Sequence, residues 1–220
     1  METESRTFEA EGLEIRQVDG QVQPTVTGYA IVFNSWSDVL TNDRGRTFRE
    51  RFAPGAFDRI LATDPDIRAL WNHNSDFPLG RTRNGTLQVQ KDGAGLRFEL
   101  TPPATSWGAD AVESIRRGDV SGVSFQFGTK RDGTADMWEK PGPDGVASRT
   151  VLDADLYEIS PVVFPAYSAT TVSVRSVEVP DFEPESDGRA AGEIDNSAEA
   201  GSRAAVAEAY RQQFEILRRK

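Results

Sequence analysis

The amino-acid sequence predicts a mainly β fold of the α+β class. From residue 8 to about residue 176, short apolar segments rich in Val, Ile, Phe and Thr alternate with turns, which is the pattern of many short strands. The Asp92-Gly93 dipeptide between two of these segments is a hairpin signal. The predicted strands are 25–33, 86–90, 95–100, 120–129, 150–159 and 172–174.

Two packed helices are expected in the same region, at 54–61 and 106–117. The first begins with Pro and Gly and then carries apolar residues at helical spacing. The second follows a Thr-Ser pair that can cap it, and Gly118 ends it after two arginines whose charge suits a helix C-terminus. The Gly- and Pro-rich stretch 131–147 predicts a long hairpin excursion or loop.

The composition changes near residue 176, which divides the chain. Residues 1–7 are expected to be disordered and residues 8–176 to form the folded domain. Residues 177–201 carry eight acidic residues against one basic residue and few large apolar ones, which predicts a disordered acidic linker. In residues 202–220 apolar side chains recur at helical spacing, which predicts an amphipathic helix that docks on a partner.

Overall charge and composition exclude several classes of function. A net charge of −10 argues against nucleic acid as the main partner, because phosphate binding needs clustered Lys and Arg. No apolar run reaches the length of a membrane span, so we expect a soluble intracellular protein with no membrane partner. The chain has no cysteine and one histidine, so neither disulfides nor a metal site is expected, and no cofactor is predicted.

The single histidine, His73, lies in the segment Trp71-Asn72-His73-Asn74 at the end of an apolar run. Imidazole titrates near neutral pH, which makes it a natural general base for a hydroxyl nucleophile. The structural alternative is a surface histidine at the end of a strand. The residue alone does not decide between the two interpretations.

A strand serine is the second candidate. Ser124 stands among Val123, Phe125 and Phe127, where a rigid strand can present its hydroxyl as a nucleophile. Ser121 competes with it, although a serine in a turn has ordinary structural reasons to be there.

A carboxylate within an apolar strand is the third candidate. Strand alternation places Leu156, Glu158 and Ser160 on one face. A carboxylate there is costly unless it is paired, so Glu158 could orient a histidine or form a salt bridge with an arginine.

Five segments of the chain carry a recognisable pattern: GYAIVF at 28–33, FAPGAF at 52–57, WNHN at 71–74, GVSFQF at 122–127 and LYEISPVVFPAY at 156–167. In this order they resemble the prohead protease family of tailed phages, which are fold relatives of the herpesvirus assemblins. The resemblance covers roughly residues 8–176 and implies a barrel-like antiparallel β domain with packed helices, similar to assemblin.

The resemblance implies a serine endopeptidase with His73 as general base and Ser124 as nucleophile. Assemblins use a second histidine as the third residue, which this chain lacks. By motif position the third residue is Glu158, with Asp155 as the second choice and Asp153 as the third.

The resemblance also implies substrates and a location. The substrates would be the scaffolding region of the major capsid protein and the protease itself, cleaved inside the assembling procapsid in the host cytoplasm. Two alternatives stay open: a catalytically inactive capsid-assembly scaffold or chaperone on the same fold, and an unrelated small β-barrel binding module. The sequence does not determine whether the chain forms a homo-oligomer.

Overall fold

A computed structural model describes residues 4–9, 13–16, 23–42, 44–130, 133–163 and 179–182. The chain divides into two compact units between Val179 and Pro180, and the described helices and strands all lie in the first. The predicted strand 172–174, the helix 202–220 and all of the linker 177–201 except 179–182 lie outside the described residues.

Strands account for most of the regular structure. Two helices among the described residues, α1 (Asp58–Leu61) and α2 (Ser106–Arg116), and a 3-10 turn at Thr82–Asn84 accompany them. The strands are β1 (Glu4–Glu9), β2 (Glu14–Arg16), β3 (Thr25–Val32), β4 (Leu40–Thr41), β5 (Thr47–Phe52), β6 (Arg68–Trp71), β7 (Asn74–Arg81), β8 (Leu87–Lys91), β9 (Gly95–Leu100), β10 (Gly122–Gly128), β11 (Asp136–Glu139), β12 (Ala147–Val151) and β13 (Asp155–Val162).

The described strands form three open sheets, so the prediction of a mainly β fold is confirmed. One sheet has the order β1-β10-β13-β6-β7, the second β11-β12-β5-β4 and the third β2-β3-β9-β8. Most pairs are antiparallel, but β12 pairs with β5 and β13 pairs with β6 in parallel. The predicted antiparallel barrel is therefore not confirmed, and the relation to assemblins stays a prediction.

The hairpin of β8 and β9 follows directly from local sequence. The Asp92 carboxylate accepts hydrogen bonds from the backbone amides of Ala94 and Gly95, which closes the turn. A Cβ on Gly95 would lie 1.9 Å from the carbonyl oxygen of Ile31, so only glycine allows β9 to approach β3 this closely.

The helices are shorter than the sequence predicted. Thr105 caps α2 by accepting a hydrogen bond from the amide of Gly108, and the helix ends at Arg116 before Gly118, which has φ +77°. In the segment 54–61 only α1 is helical, and the residues before it form turns. No helix among the described residues is long and apolar enough to cross a membrane.

The predicted strand 150–159 is two strands that belong to different sheets. After β12 the amides of Leu152 and Asp153 both donate to the carbonyl of Ala135, and the amide of Ala154 donates to the carbonyl of Ala56. These bonds turn the chain out of one sheet and into β13 of another. At the other end of the chain, β1 is a strand where the sequence predicted disorder through residue 7.

Aromatic side chains pack β10 against the core. Phe125 and Phe127 project from one face of this strand and pack against Phe52, with ring centroids 5.5 and 5.1 Å apart. All three rings are buried, and Val123 on the same face is buried as well. Side chains alternate along a strand, so the opposite face of this rigid element presents Ser124.

Candidate active site

The candidate site lies on the five-stranded sheet, where β10, β13 and the turn after β6 come together. Ser124 on β10 pairs directly with Ser160 on β13, and Glu158 is two residues earlier on the same strand. The turn between β6 and β7 carries His73. Strand register therefore brings residues from three distant parts of the sequence to one place.

His73 is held in an uncommon backbone conformation. Asn72 and His73 have φ of 52° and 59°, the left-handed region that disfavours residues with side chains. Such a conformation persists only where the surroundings enforce it. The Asn72 amide donates to the carbonyl of Pro161 at 3.1 Å, and its side-chain oxygen accepts from the amide of Val163 at 2.9 Å. The end of β13 thus fixes the turn that presents the imidazole.

Both ring nitrogens of His73 are engaged. Nε2 lies 2.6 Å from Ser124 Oγ, and Nδ1 lies 2.9 Å from Glu158 Oε1. An ionised carboxylate can only accept, so we assign the proton to Nδ1, which leaves Nε2 as an acceptor for the serine hydroxyl. The arrangement is therefore suited to take a proton from Ser124 and to hold the charge that results.

The three side chains differ in exposure. Ser124 is fully buried and the side chain of Glu158 is 6% exposed, whereas the imidazole of His73 is 27% exposed. A carboxylate this deeply buried is stable only with hydrogen-bond partners, and His73 is one of them.

Ser160 is the second partner of Glu158, and its role was not predicted from the sequence. Its hydroxyl is fully buried, donates to Glu158 Oε1 and accepts the backbone amide of His73 at 3.2 Å. The spacing of two residues after Glu158 was the available signal, because it places both side chains on one strand face. Ser160 thus connects the carboxylate to the turn that carries the histidine.

The competing residues lie in other surroundings. Ser121 is exposed and precedes β10. Asp153 and Asp155 form ion pairs with Arg59, and their hydrogen bonds raise the pKa of that guanidinium above its ordinary value. The carboxylate that contacts His73 is Glu158, the first choice from the sequence. Among the described residues, no group of three or more His, Cys, Asp or Glu side chains could hold a metal ion.

Comparison with known proteins identifies the family. The model of the caudovirus prohead serine proteases matches residues 11–183, which is most of the chain. The chain therefore belongs to the caudovirus prohead serine protease family. No curated protein and no solved structure matches it.

Proposed function

We propose that the chain is an active serine endopeptidase of capsid maturation, with Ser124 as nucleophile, His73 as general base and Glu158 as the residue that orients His73. The observation that supports this proposal most directly is the unbroken series of contacts from Ser124 Oγ through both imidazole nitrogens to Glu158 Oε1. A hydroxyl, an imidazole and a buried carboxylate in this order are the components of a serine protease triad.

The proposed reaction begins at Ser124. Its oxygen attacks the carbonyl carbon of a peptide bond while its proton passes to His73 Nε2. The tetrahedral intermediate collapses, the C–N bond breaks, and His73 returns the proton to the departing amine. Water then attacks the acyl-enzyme ester with His73 again as base, which releases the second product and restores Ser124.

Glu158 and Ser160 act through His73 in this proposal. Glu158 holds the proton on Nδ1 and stabilises the imidazolium that forms during each half of the reaction. Ser160 donates to the same carboxylate oxygen and binds the backbone of His73, so it restricts both partners at once. Neither residue touches the reacting carbonyl, and both are positioning residues.

The proposed substrates are the scaffolding region of the major capsid protein and the protease itself, cleaved inside the assembling procapsid in the host. Family membership supports this assignment at the level of prohead processing. The capsid partner and the self-cleavage are our proposals.

Co-expression with the cognate major capsid protein tests the assignment. We expect the wild-type chain to shorten the capsid protein, as read by intact mass, and Ser124→Ala to leave its mass unchanged. Ser121→Ala is the matched control and should process normally, because Ser121 is exposed outside the contact series. Full processing by Ser124→Ala would contradict the proposal. Unchanged masses with the wild-type chain would favour a catalytically inactive assembly scaffold.

A further inference from the structure

The first strand, β1, covers the candidate nucleophile. β1 runs antiparallel to β10, with Thr7 directly opposite Ser124. The Ser124 hydroxyl donates to the carbonyl oxygen of Arg6 at 2.9 Å, and Ser124 has no exposed surface. This hydroxyl has one proton and two acceptors, so the Arg6 carbonyl competes with His73 for the proton that catalysis must transfer.

Buried charges hold β1 in this position. Arg6 Nε donates to Glu50 Oε1 at 2.7 Å, and Glu4 Oε2 accepts from Arg149 Nη1 at 2.7 Å. Arg149 Nη1 also contacts Glu50 Oε2 at 2.6 Å, so two residues of β1 and two residues of the second sheet form one cluster. All four side chains are at most 5% exposed.

The opposite charges in this cluster shift the pKa values of Glu4 and Arg149. Burial opposes the ionisation of Glu4, but the guanidinium groups of Arg149 and Arg6 outweigh it, and the pKa of Glu4 lies below its ordinary value. Burial likewise opposes the charge of Arg149, yet the carboxylates of Glu50 and Glu4 raise its pKa above the ordinary value. Removal of β1 would take the hydrogen bonds of Arg6 from Glu50 and those of Glu4 from Arg149, although Glu50 and Arg149 would still pair with each other and Arg149 with Asp136.

We propose that β1 occupies the place of the substrate beside Ser124, and that an extended substrate segment displaces it when that segment offers an acidic residue followed two positions later by a basic one. The inference rests on the proposed function, because it takes Ser124 as the nucleophile. Substrate addition to the edge of a sheet is a common mode of peptide binding. While β1 is in place, the enzyme is latent.

The charge pattern follows from what β1 supplies. When β1 leaves, Glu50 loses the hydrogen bonds of Arg6 and Arg149 loses those of Glu4, and an incoming strand with the same two charges would restore both. A basic side chain in the place of Arg6 also sets its own carbonyl beside Ser124 Oγ. The serine oxygen would form its ester with that carbonyl carbon, and the bond that breaks is the peptide bond after the basic residue.

A reversible disulfide tests the latency. The chain has no cysteine, so a bridge can be placed without interference. Ser5 and Gln126 are paired across β1 and β10, and cross-strand partners lie within disulfide range. The double variant Ser5→Cys, Gln126→Cys is compared oxidised and reduced, with a fluorophosphonate probe that labels a reactive serine. The matched control is Gln90→Cys, Arg97→Cys, which bridges β8 and β9 in another sheet.

We call the double variant Ser5→Cys, Gln126→Cys the lock variant. We expect the probe to label its oxidised form at least about tenfold more slowly than its reduced form, because a shielded residue reacts only when the strand that covers it opens. The control bridge should make no difference between its two redox states. Equal labelling of the locked and reduced forms leaves Ser124 as a nucleophile but overturns the latency. If the probe labels Ser124 in neither form although the circular dichroism spectrum is native, the proposed function is overturned and this inference with it.

Two peptides of identical composition test the charge pattern. One carries Glu two residues before Arg, as β1 does, and the other has these two residues exchanged. With the reduced lock variant we expect kcat/KM at least about tenfold higher for the first peptide, with cleavage after its Arg, because the exchanged peptide would bring its Glu against Glu50 and its Arg against Arg149. The charge pattern is overturned if the two peptides are cleaved at equal rates or if cleavage occurs at another bond. It is also overturned if enzyme that reacts with the probe cleaves neither peptide.

Discussion

The imidazole Nε2 of His73 lies 2.6 Å from Ser124 Oγ, although the two residues are 51 positions apart and β6 and β10 are not neighbours in the sheet. β13 stands between β10 and β6 in the sheet, so the histidine reaches Ser124 from the turn beyond β6. The residue of β13 that pairs with Ser124 is Ser160, a small side chain that binds the His73 backbone. The contact between His73 and Ser124 therefore depends on β13 as much as on these two residues.

Replacing Glu158 with glutamine should lower kcat/KM roughly 10³-fold, because an amide can donate to Nδ1 and favour the wrong imidazole tautomer. The measurement is cleavage of the capsid protein or of a peptide substrate by purified variants. Asp155→Asn and Asp153→Asn are the controls, since both carboxylates pair with Arg59. A comparable loss in Asp155→Asn would assign the orienting role to that residue instead.

Replacing Ser160 with alanine should lower kcat by about 10-fold to 100-fold and leave KM nearly unchanged, because the Ser160 hydroxyl acts through Glu158 and the His73 backbone. The substitution also takes the acceptor from the His73 amide and one of two donors from Glu158 Oε1, which costs about 1–3 kcal/mol of unfolding free energy.

A matched serine separates the two effects of this substitution. Ser114 on α2 is half-buried away from the candidate site, and its hydroxyl donates to the carbonyl of Asp110. Ser114→Ala should keep both kcat and KM. A Ser160→Ala enzyme that melts earlier but retains wild-type kcat would show that Ser160 serves stability alone.

Several elements could be predicted from sequence because their signals are local. The ends of β9 agree with the prediction, and α2 differs by one residue, since a turn aspartate, a cap and a glycine specify them. The segments around His73, Ser124 and Glu158 were identified by motif, and the structure brings these side chains together. Their catalytic roles stay predictions.

Other features could not be predicted because distant residues determine them. The alternating charges of Glu4 and Arg6 suggest a solvated segment, and only Glu50 and Arg149, far along the chain, make a buried strand of it. The role of Ser160 depends on the position of β13 relative to a turn 87 residues earlier. The pattern of a single sequence does not show which distant strands pair or in which register.

Asn72 should control the position of His73. Asn72→Ala removes the hydrogen bond to the Val163 amide and places alanine in the left-handed region, so we expect a loss of roughly 1–2 kcal/mol of unfolding free energy. The kcat should fall as well, because the histidine next to it moves. Asn34, which also has positive φ, is the matched control: Asn34→Ala should lose stability without a comparable loss of kcat. Equal kcat losses in the two variants would contradict the role of the turn.

The pair of Asp66 and Arg81 should make stability depend on pH in acid. The hydrogen bonds from Arg81 hold the pKa of Asp66 at about 2, below its usual 3.8. A carboxylate whose pKa is lowered in the folded state stabilises the fold above its unfolded value, and that stabilisation disappears as the pH falls from 3.8 towards 2. Urea unfolding from about pH 5 to about pH 2 should show a smaller fall in the free energy of unfolding for Asp66→Asn than for the wild type. Arg81→Met should reduce the decline by a smaller amount, because Arg68 also pairs with Asp66, and the double variant should match Asp66→Asn. A decline in Asp66→Asn as steep as that of the wild type would show that other carboxylates govern acid unfolding.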